Sequence, residues 1–269
     1  MPTLKTNAAE LFYEEAGTGE PVLLLHGLGS STLDWAPQID ALRGSYRVIA
    51  FDSRGSGRSR DLKNPGGPFS VAQFAADAAS LLDALGASPA HVIGLSMGGM
   101  TALQLACDSP RSVRTLTIVN SGPELVPRTP VELKGIRMRR FISRWLGPKG
   151  MGKMLAKRLF PTPEHEAKRK LFRERMAANN KRAYIASQEA LIGWSVLERI
   201  GGIEAPTLVV ASDQDYAPVA AKEAWARRMK NASVTVVTDS RHALPIEAPE
   251  KVNPLLLDFL HRHRAQTGA

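Results

Sequence analysis

A serine lies between two glycines in the segment Gly94-Leu95-Ser96-Met97-Gly98. The apolar run before it predicts a buried strand and the apolar positions after it predict a helix, so Ser96 is expected at a strand-to-helix turn. A serine hydroxyl becomes a useful nucleophile when such a turn holds it clear of the chain beside a base, which requires neighbours without side chains. The N–H of Met97 would then lie at a helix N-terminus, where negative charge is stabilised. The pattern predicts nucleophilic chemistry at Ser96.

An acid and a base follow other predicted strands. The glycine turn alone is compatible with an idle serine, so the chemistry depends on these partners. One predicted strand ends in the acids Asp213 and Asp215, and the next is followed by His242. Because the carboxyl ends of parallel strands lie at one edge of a sheet, we expect Ser96, His242 and one of the two aspartates to form one site.

Strand-like and helix-like segments alternate along most of the chain, and they must position these groups. This alternation predicts an α/β fold with a mostly parallel central sheet flanked by helices. The predicted strands, besides the one before Ser96, are residues 11–15, 21–26, 47–52, 114–122, 205–215 and 233–240. The predicted helices are residues 35–42, 70–85, 220–229 and 253–260, with Ser70 as an N-cap.

Two segments depart from a simple alternation. Residues 11–15 and 21–26 are separated by Gly17-Thr18-Gly19, which predicts a β-hairpin. Between residues 122 and 200 the strand-like runs vanish and apolar residues recur at helical spacing, which predicts a helical insertion.

A second glycine-containing loop follows the strand at residues 47–52. Gly55 and Gly57 permit a close approach of the backbone, but no third glycine opens a helix, so the pattern does not indicate a nucleotide site. We expect a structural loop in which Asp52 and Arg54 hydrogen-bond to the backbone.

Composition excludes several classes of protein. The single cysteine, Cys107, cannot form an internal disulfide, and the six histidines show no metal-ligand spacing, so we expect neither a metal nor another cofactor. There is no run of 18 apolar residues and no basic-then-apolar leader pattern at the N-terminus. The sequence predicts a cytoplasmic protein without stable membrane insertion.

These features together resemble the α/β-hydrolase family, and the resemblance covers nearly the whole chain. The order Ser96, Asp215, His242 is that of the family's catalytic triad. Residues 52–59 match its D-x-R-G-x-G-x-S pattern, and His26-Gly27 resembles its oxyanion loop. The resemblance implies a core domain of residues 1–121 and 201–269 and a helical cap of residues 122–200.

The resemblance also implies a role for each site residue. Ser96 would attack a carbonyl carbon, His242 would remove the serine proton, and Asp215 would orient the imidazole. The backbone N–H groups of Leu28 and Met97 would form the oxyanion hole. Residues expected at the substrate are His26, Gly27, Asn120 and Arg241.

The acidic loop leaves one assignment open. Asp213 is the rival of Asp215, which we favour because Pro218 follows it as a proline commonly follows the family's acid. Ser212 and Arg241 stand where the family often has glycine, so the geometry of these two loops departs from the common pattern.

The type of nucleophile limits the reaction. Epoxide hydrolases and haloalkane dehalogenases of this family use a carboxylate at the elbow, where this chain has Ser96. We expect hydrolysis of a small carboxylic ester or lactone, since the elbow is similar to that of enol-lactone hydrolases. Two alternatives remain: C–C bond hydrolysis of a dienoate-type ring-cleavage product, and a ligand receptor on a hydrolase scaffold.

Positive charge is concentrated in the predicted cap. The chain has a net charge of +9, and residues 125–182 contain 17 lysines and arginines against 4 acids. This basic segment could be a solvated surface, could steer an anionic substrate, or could rest on an anionic membrane. Four cap methionines could line an adaptable pocket: Met138, Met151, Met154 and Met176. No recognition motif for nucleic acid accompanies the charge, and the sequence does not define an oligomeric state.

Overall fold

The nine strands that the structure describes form one sheet, and helices cover both of its faces. The computed structural model describes residues 2–6 and 8–265. The strands are β1 (Thr3–Lys5), β2 (Ala9–Ala16), β3 (Pro21–Leu25), β4 (Arg47–Phe51), β5 (Arg60–Asp61), β6 (Ala90–Leu95), β7 (Val113–Val119), β8 (Thr207–Ser212) and β9 (Ala232–Val237). The α-helices are α1 (Ala36–Leu42), α2 (Val71–Ala84), α3 (Met97–Asp108), α4 (Pro130–Leu159), α5 (Glu166–Ala178), α6 (Lys181–Leu191), α7 (Val219–Ala226), α8 (Leu244–Glu247) and α9 (Pro249–Arg262).

The strand order is β1-β2-β4-β3-β6-β7-β8-β9, with β5 paired to β2. All neighbours from β4 to β9 in this order are parallel, whereas β1, β2 and β5 form an antiparallel edge. The predicted mostly parallel sheet is confirmed. Since β6, β8 and β9 run in the same direction, the loops after them open at one edge of the sheet.

The predicted hairpin between β2 and β3 is wrong. Strand β4 lies between them, antiparallel to β2 and parallel to β3. A strand that is apolar on both faces is typical of the centre of a parallel sheet, and β3 accordingly pairs in parallel with β4 at one edge and with β6 at the other. Gly17, at φ 79°, packs beneath the loop from α1 to β4, where a side chain would overlap the carbonyl groups of Arg43 and Tyr46.

Alternate residues of β3 pack into different cores. Leu23 and Leu25 face one cluster, with α2 and α3, while Val22 and Leu24 face another, with α1 and α9. The Ser70 side chain accepts a hydrogen bond from the N–H of Gln73, so the predicted N-cap of α2 is confirmed. Burial on both faces makes the centre of the sheet a rigid support for the loops at its edge.

Three helices, α4 to α6, lie between β7 and β8, where the sequence predicts the cap of residues 122–200. The precise bounds of that cap stay a prediction. Helix α4 begins with a capping box between Thr129 and Glu132 and bends at Gly147, which is followed by Pro148. Among the residues that the structure describes, no helix is long and apolar enough to cross a membrane.

The loop after β4 is structural, as expected, but its two charged residues act differently. The Asp52 carboxylate accepts hydrogen bonds from the N–H groups of Thr32 and Arg58, which confirms its predicted contact with the backbone. The prediction for Arg54 is wrong, because its buried guanidinium pairs with the side chains of Asp77 and Asp61. Carboxylates compensate the charge of a buried guanidinium better than neutral backbone carbonyl groups do.

Candidate active site

Ser96 lies at a strained turn between β6 and α3. Its backbone has φ 55° and ψ −115°, which L-residues with a side chain rarely adopt. A Cβ at Gly94 would overlap the backbone of Gly98, and one at Gly98 would overlap the carbonyl of Leu25, so this turn requires both glycines. Met97 is the first residue of α3, and its N–H therefore has no acceptor within the helix.

A buried acid contacts the histidine of the loop after β9. Nδ1 of His242 lies 2.5 Å from Oδ1 of Asp215, and Nζ of Lys222 lies 2.5 Å from Oδ2 of the same carboxylate. Burial alone would raise the pKa of Asp215, but the hydrogen bonds and charges of His242 and Lys222 outweigh it and lower the pKa. Asp215 is thereby held as a carboxylate. The ring of Tyr216 stacks on His242, with 4.3 Å between centroids.

The rival acid, Asp213, has a different environment. Its carboxylate accepts hydrogen bonds from the N–H groups of Asp239 and Ser240, at 2.9 and 3.1 Å. It therefore joins the loop after β8 to the loop after β9 through the backbone. The structure brings Asp215, rather than Asp213, to His242.

The loop after β3 lies against the serine. A Cβ added at Gly27 would be 3.6 Å from Cβ of Ser96, and Leu28 lines the same cavity as Ser96. The buried His26 ring donates from Nδ1 to the Gly27 carbonyl and accepts at Nε2 from the N–H of Ser53. The sequence predicted that His26 meets the substrate, but both ring nitrogens are occupied and the side chain instead supports this loop.

Asn120, also expected at the substrate, connects three strand ends. Its side chain exchanges hydrogen bonds with Ser212, at 2.8 Å each, and donates to the carbonyls of Arg241 and His242. The hydroxyl of Ser212 also donates to the Arg241 carbonyl. The Arg241 guanidinium pairs with the buried Glu247, so its charge is already neutralised within the protein. The two departures from the family pattern, Ser212 and Arg241, thus belong to one network beneath His242.

Helix α5 and the residue after it hold the other end of the Leu28 loop. The Asn179 side chain donates to the carbonyl of Gly29 at 2.9 Å, and a side chain at Gly29 would overlap Met176. Arg175 of α5 forms an ion pair with the buried Asp34. The conformation of this loop therefore depends on the insertion as well as on the core.

One cavity of about 960 Å³ brings the predicted groups together. Its lining includes Gly27, Leu28, Ser96, Asn120, Asp215 and His242. Three of the four cap methionines also line it, whereas Met176 is buried beneath Gly29. Within residues 2–6 and 8–265, no group of three or more His, Cys, Asp or Glu side chains could hold a metal ion.

Sequence reasoning missed two close neighbours of the acid–histidine pair and a cation beyond them. The burial of Lys222 could have been predicted, because a lysine three residues before Trp225 lies on the buried side of a short helix. Tyr216 follows Asp215 directly and gave no such signal. The guanidinium carbon of Arg158, on α4, lies 4.4 Å from the centre of the Tyr216 ring, a contact between distant segments that periodicity cannot predict.

The parallel sheet, the strained serine turn and the acid–histidine pair are those of an α/β hydrolase. The family described as "alpha/beta hydrolase fold" matches residues 20–249, so the chain belongs to that family and is a hydrolase of that fold. This confirms the resemblance drawn from the motifs.

The relatives differ in the reactions that their names give. The chain is 32% identical over 268 residues to "Putative carbamate hydrolase RutD" of Azorhizobium caulinodans, covering 96% of this chain and 98% of that protein. It resembles the enol-lactonase of Burkholderia xenovorans LB400 with a TM-score of 0.88 and 26% identity, covering 97% and 100% of the two chains. A thermophilic esterase from Thermogutta terrifontis has a TM-score of 0.87 and 26% identity, covering 98% and 100%.

Proposed function

We propose that the protein hydrolyses small carboxylic esters or lactones through an acyl-enzyme on Ser96. The observation that carries this proposal is the 2.5 Å contact between His242 and the buried Asp215, at a cavity that Ser96 also lines. The enol-lactonase and the esterase among the structural relatives support this substrate class.

Each proposed residue has one role in the reaction. Oγ of Ser96 attacks the carbonyl carbon while Nε2 of His242 takes the hydroxyl proton, and Asp215 stabilises the imidazolium that results. The carbonyl oxygen becomes an oxyanion and accepts hydrogen bonds from the N–H groups of Leu28 and Met97, each contributing about 3 kcal/mol.

The intermediate then collapses in two stages. The bond from the carbonyl carbon to the leaving oxygen breaks, and His242 gives its proton to that oxygen, which releases an alcohol or opens the lactone ring. A water molecule next attacks the acyl-enzyme and transfers a proton to His242. Release of the carboxylic acid returns that proton to Ser96.

A carbamate is the second candidate substrate. The relative from Azorhizobium caulinodans that carries this name aligns over nearly the whole of both chains. A carbamate carbonyl would undergo the same attack by Ser96, and only the group expelled from the intermediate would differ. A panel of substrates therefore separates the two candidates without changing the proposed residues.

We also infer that the preferred substrate carries a negative charge. Arg139 and Arg158 line the cavity, and no carboxylate among the described residues lies within ion-pair distance of either guanidinium. Arg228 also lines it but is paired with Glu198. Two arginines without carboxylate partners at a partly apolar cavity favour an anionic ligand.

The test is the intact mass of the protein after reaction with a fluorophosphonate probe. We expect one adduct on the wild type, none on Ser96→Ala, and one on Ser80→Ala, which removes an exposed hydroxyl of α2. An adduct on Ser96→Ala would overturn the assignment of the nucleophile.

Turnover on ester, lactone, carbamate and dienoate substrates then defines the reaction. Rapid turnover of an ester or lactone supports the first proposal, and preference for a carbamate supports the second. Cleavage of the dienoate alone would indicate C–C bond hydrolysis. An adduct without appreciable turnover of any substrate would favour a receptor.

A further inference from the structure

The outer surface of α4 exposes large apolar side chains. Val131 is 80% exposed, Met138 53%, Phe141 60% and Trp145 68%. Most large apolar residues of the chain are instead buried in the cores that flank the sheet. Phe141 and Trp145 contact each other, with 6.0 Å between ring centroids, and so form one continuous aromatic patch. Exposed patches of this kind mark interaction sites.

These four residues lie on one side of the helix, because residues three, four and seven apart are neighbours on a helix surface. Arg137 and Arg144 flank them and are exposed. We call these six residues the outer face of α4. The whole helix contains a single acid, Glu132, against nine basic residues: Lys134, Arg137, Arg139, Arg140, Arg144, Lys149, Lys153, Lys157 and Arg158.

We propose that the outer face of α4 binds the surface of an anionic lipid membrane. An apolar stripe with Trp and Phe, flanked by arginines, is suited to the boundary between headgroups and acyl chains. No described carboxylate forms an ion pair with Arg137 or Arg144, so both are available to lipid phosphates. Juxtamembrane basic residues are attracted to anionic leaflets.

A second copy of the chain is a poorer match for this surface. A two-fold symmetric contact would place the outer face of α4 against itself. Arg137 and Arg144 would then approach the same residues of the second copy, and Glu132 is the only acid that the helix offers in return. Repulsion between like charges disfavours that pairing, whereas it favours an anionic lipid surface.

The outer face of α4 borders the cavity of the candidate active site. Met138 belongs to the face and also lines the cavity, as do its neighbours Arg139 and Ile142. Binding through α4 would thus bring the cavity close to the membrane.

Co-sedimentation with lipid vesicles tests the proposal without measuring turnover. We expect the wild type to bind vesicles of phosphatidylcholine containing phosphatidylglycerol, and to bind phosphatidylcholine alone far more weakly. Phe141→Ala and Trp145→Ala should each weaken binding on the order of tenfold. Arg137→Gln and Arg144→Gln should each weaken it about fivefold at low salt.

Matched controls separate this surface from a general effect of charge or apolarity. Leu62→Ala removes an apolar side chain that is 49% exposed outside α4, and Lys230→Gln removes an exposed lysine after α7. Both variants should bind as the wild type does.

Equal binding to neutral and anionic vesicles, or no binding, would overturn the proposal. So would a dimer in analytical ultracentrifugation that Trp145→Ala converts to a monomer, because a second copy would then occupy the face. Because binding requires no reaction at Ser96, its outcome is independent of the proposed hydrolysis.

Discussion

Lys222 and His242 hold opposite oxygens of one buried carboxylate, that of Asp215. The lysine ammonium lies 2.5 Å from Oδ2, and the imidazole Nδ1 lies 2.5 Å from Oδ1. The lysine also donates to the carbonyl of Ala217, so it fixes the loop that carries Asp215. A positioning role follows, in which Lys222 keeps the carboxylate ionised and directed at the histidine.

Replacing Lys222 by methionine should therefore impair the proposed catalysis. We expect the free energy of unfolding of Lys222→Met to be about 3 kcal/mol lower than that of the wild type, because one partner of a buried ion pair is removed. Loss of this cation leaves the Asp215 carboxylate to stabilise the imidazolium of His242 more strongly, so the acid limb of the profile of kcat/KM against pH should move to higher pH. The matched control is Lys230→Met, which removes an exposed lysine. An unchanged pH profile in Lys222→Met would limit the lysine to a structural role.

Asparagine substitutions of the two neighbouring acids should separate catalysis from loop support. Asp215→Asn should lower kcat on the order of 10⁴-fold, because the histidine would adopt the wrong tautomer. Asp213→Asn should lower the free energy of unfolding by about 1 kcal/mol, since its carboxylate accepts two backbone N–H groups, and should leave most turnover intact. Steady-state kinetics and urea unfolding of both variants measure this contrast. The reverse pattern would make Asp213 the acid.

Arg158 should discriminate between anionic and neutral substrates. It lines the cavity next to Tyr216 and is exposed, so the charge it contributes is partly screened. We expect Arg158→Gln to raise KM about fivefold for a carboxylate-bearing substrate and to leave KM for a neutral ester unchanged. The control is Arg111→Gln, an exposed arginine outside the insertion. Equal changes for both substrates would contradict an electrostatic role.

A buried histidine in β6 should make stability depend on pH. Burial lowers the pKa of His91 to about 4 from 6.5, although the carboxylate of Glu20, 3.5 Å away, opposes this shift. Between those pH values the unfolded chain binds a proton that the folded chain does not. The free energy of unfolding should therefore have its full value above pH 6.5 and should fall by about 3 kcal/mol as the pH drops to about 4.

Urea unfolding at several pH values measures this dependence. His91→Asn is the matched variant, because asparagine can keep a hydrogen bond to Thr115, the partner of the imidazole Nδ1. The variant should lose stability less steeply between pH 6.5 and about 4. Equal slopes in the two proteins would show that other groups dominate the acid transition.

The parts of the fold that sequence predicted are those that local chemistry determines. Gly94 and Gly98 indicated the serine turn because a side chain at either position would overlap the backbone. The continuous apolar run of β3 indicated that both of its faces are buried. Helix α9 was predicted to begin at residue 253, but it begins at Pro249. Proline suits the first helical position, so the helix starts before its apolar pattern does.

Contacts between distant segments could not be predicted in the same way. The order of β2, β4 and β3 depends on which strands pair with the two edges of β3, and no local signal contains that choice. The periodicity of α4 predicted a helix but not which of its sides faces water, so the exposure of Phe141 and Trp145 emerged only from the packing. The carboxylate partners of Arg54 could not be predicted either, because they too depend on how the segments pack.

The contact of Asn179 with Gly29 has a consequence for the evolution and engineering of this enzyme. A helical insertion is commonly regarded as an exchangeable module that changes which substrates are accepted. Here the insertion also supports the loop that would present the Leu28 amide, through Asn179 and through the pairing of Arg175 with Asp34. A chimera that receives a relative's insertion would consequently alter substrate preference and reaction rate together, unless the residues around Gly29 and Asp34 are transplanted with it.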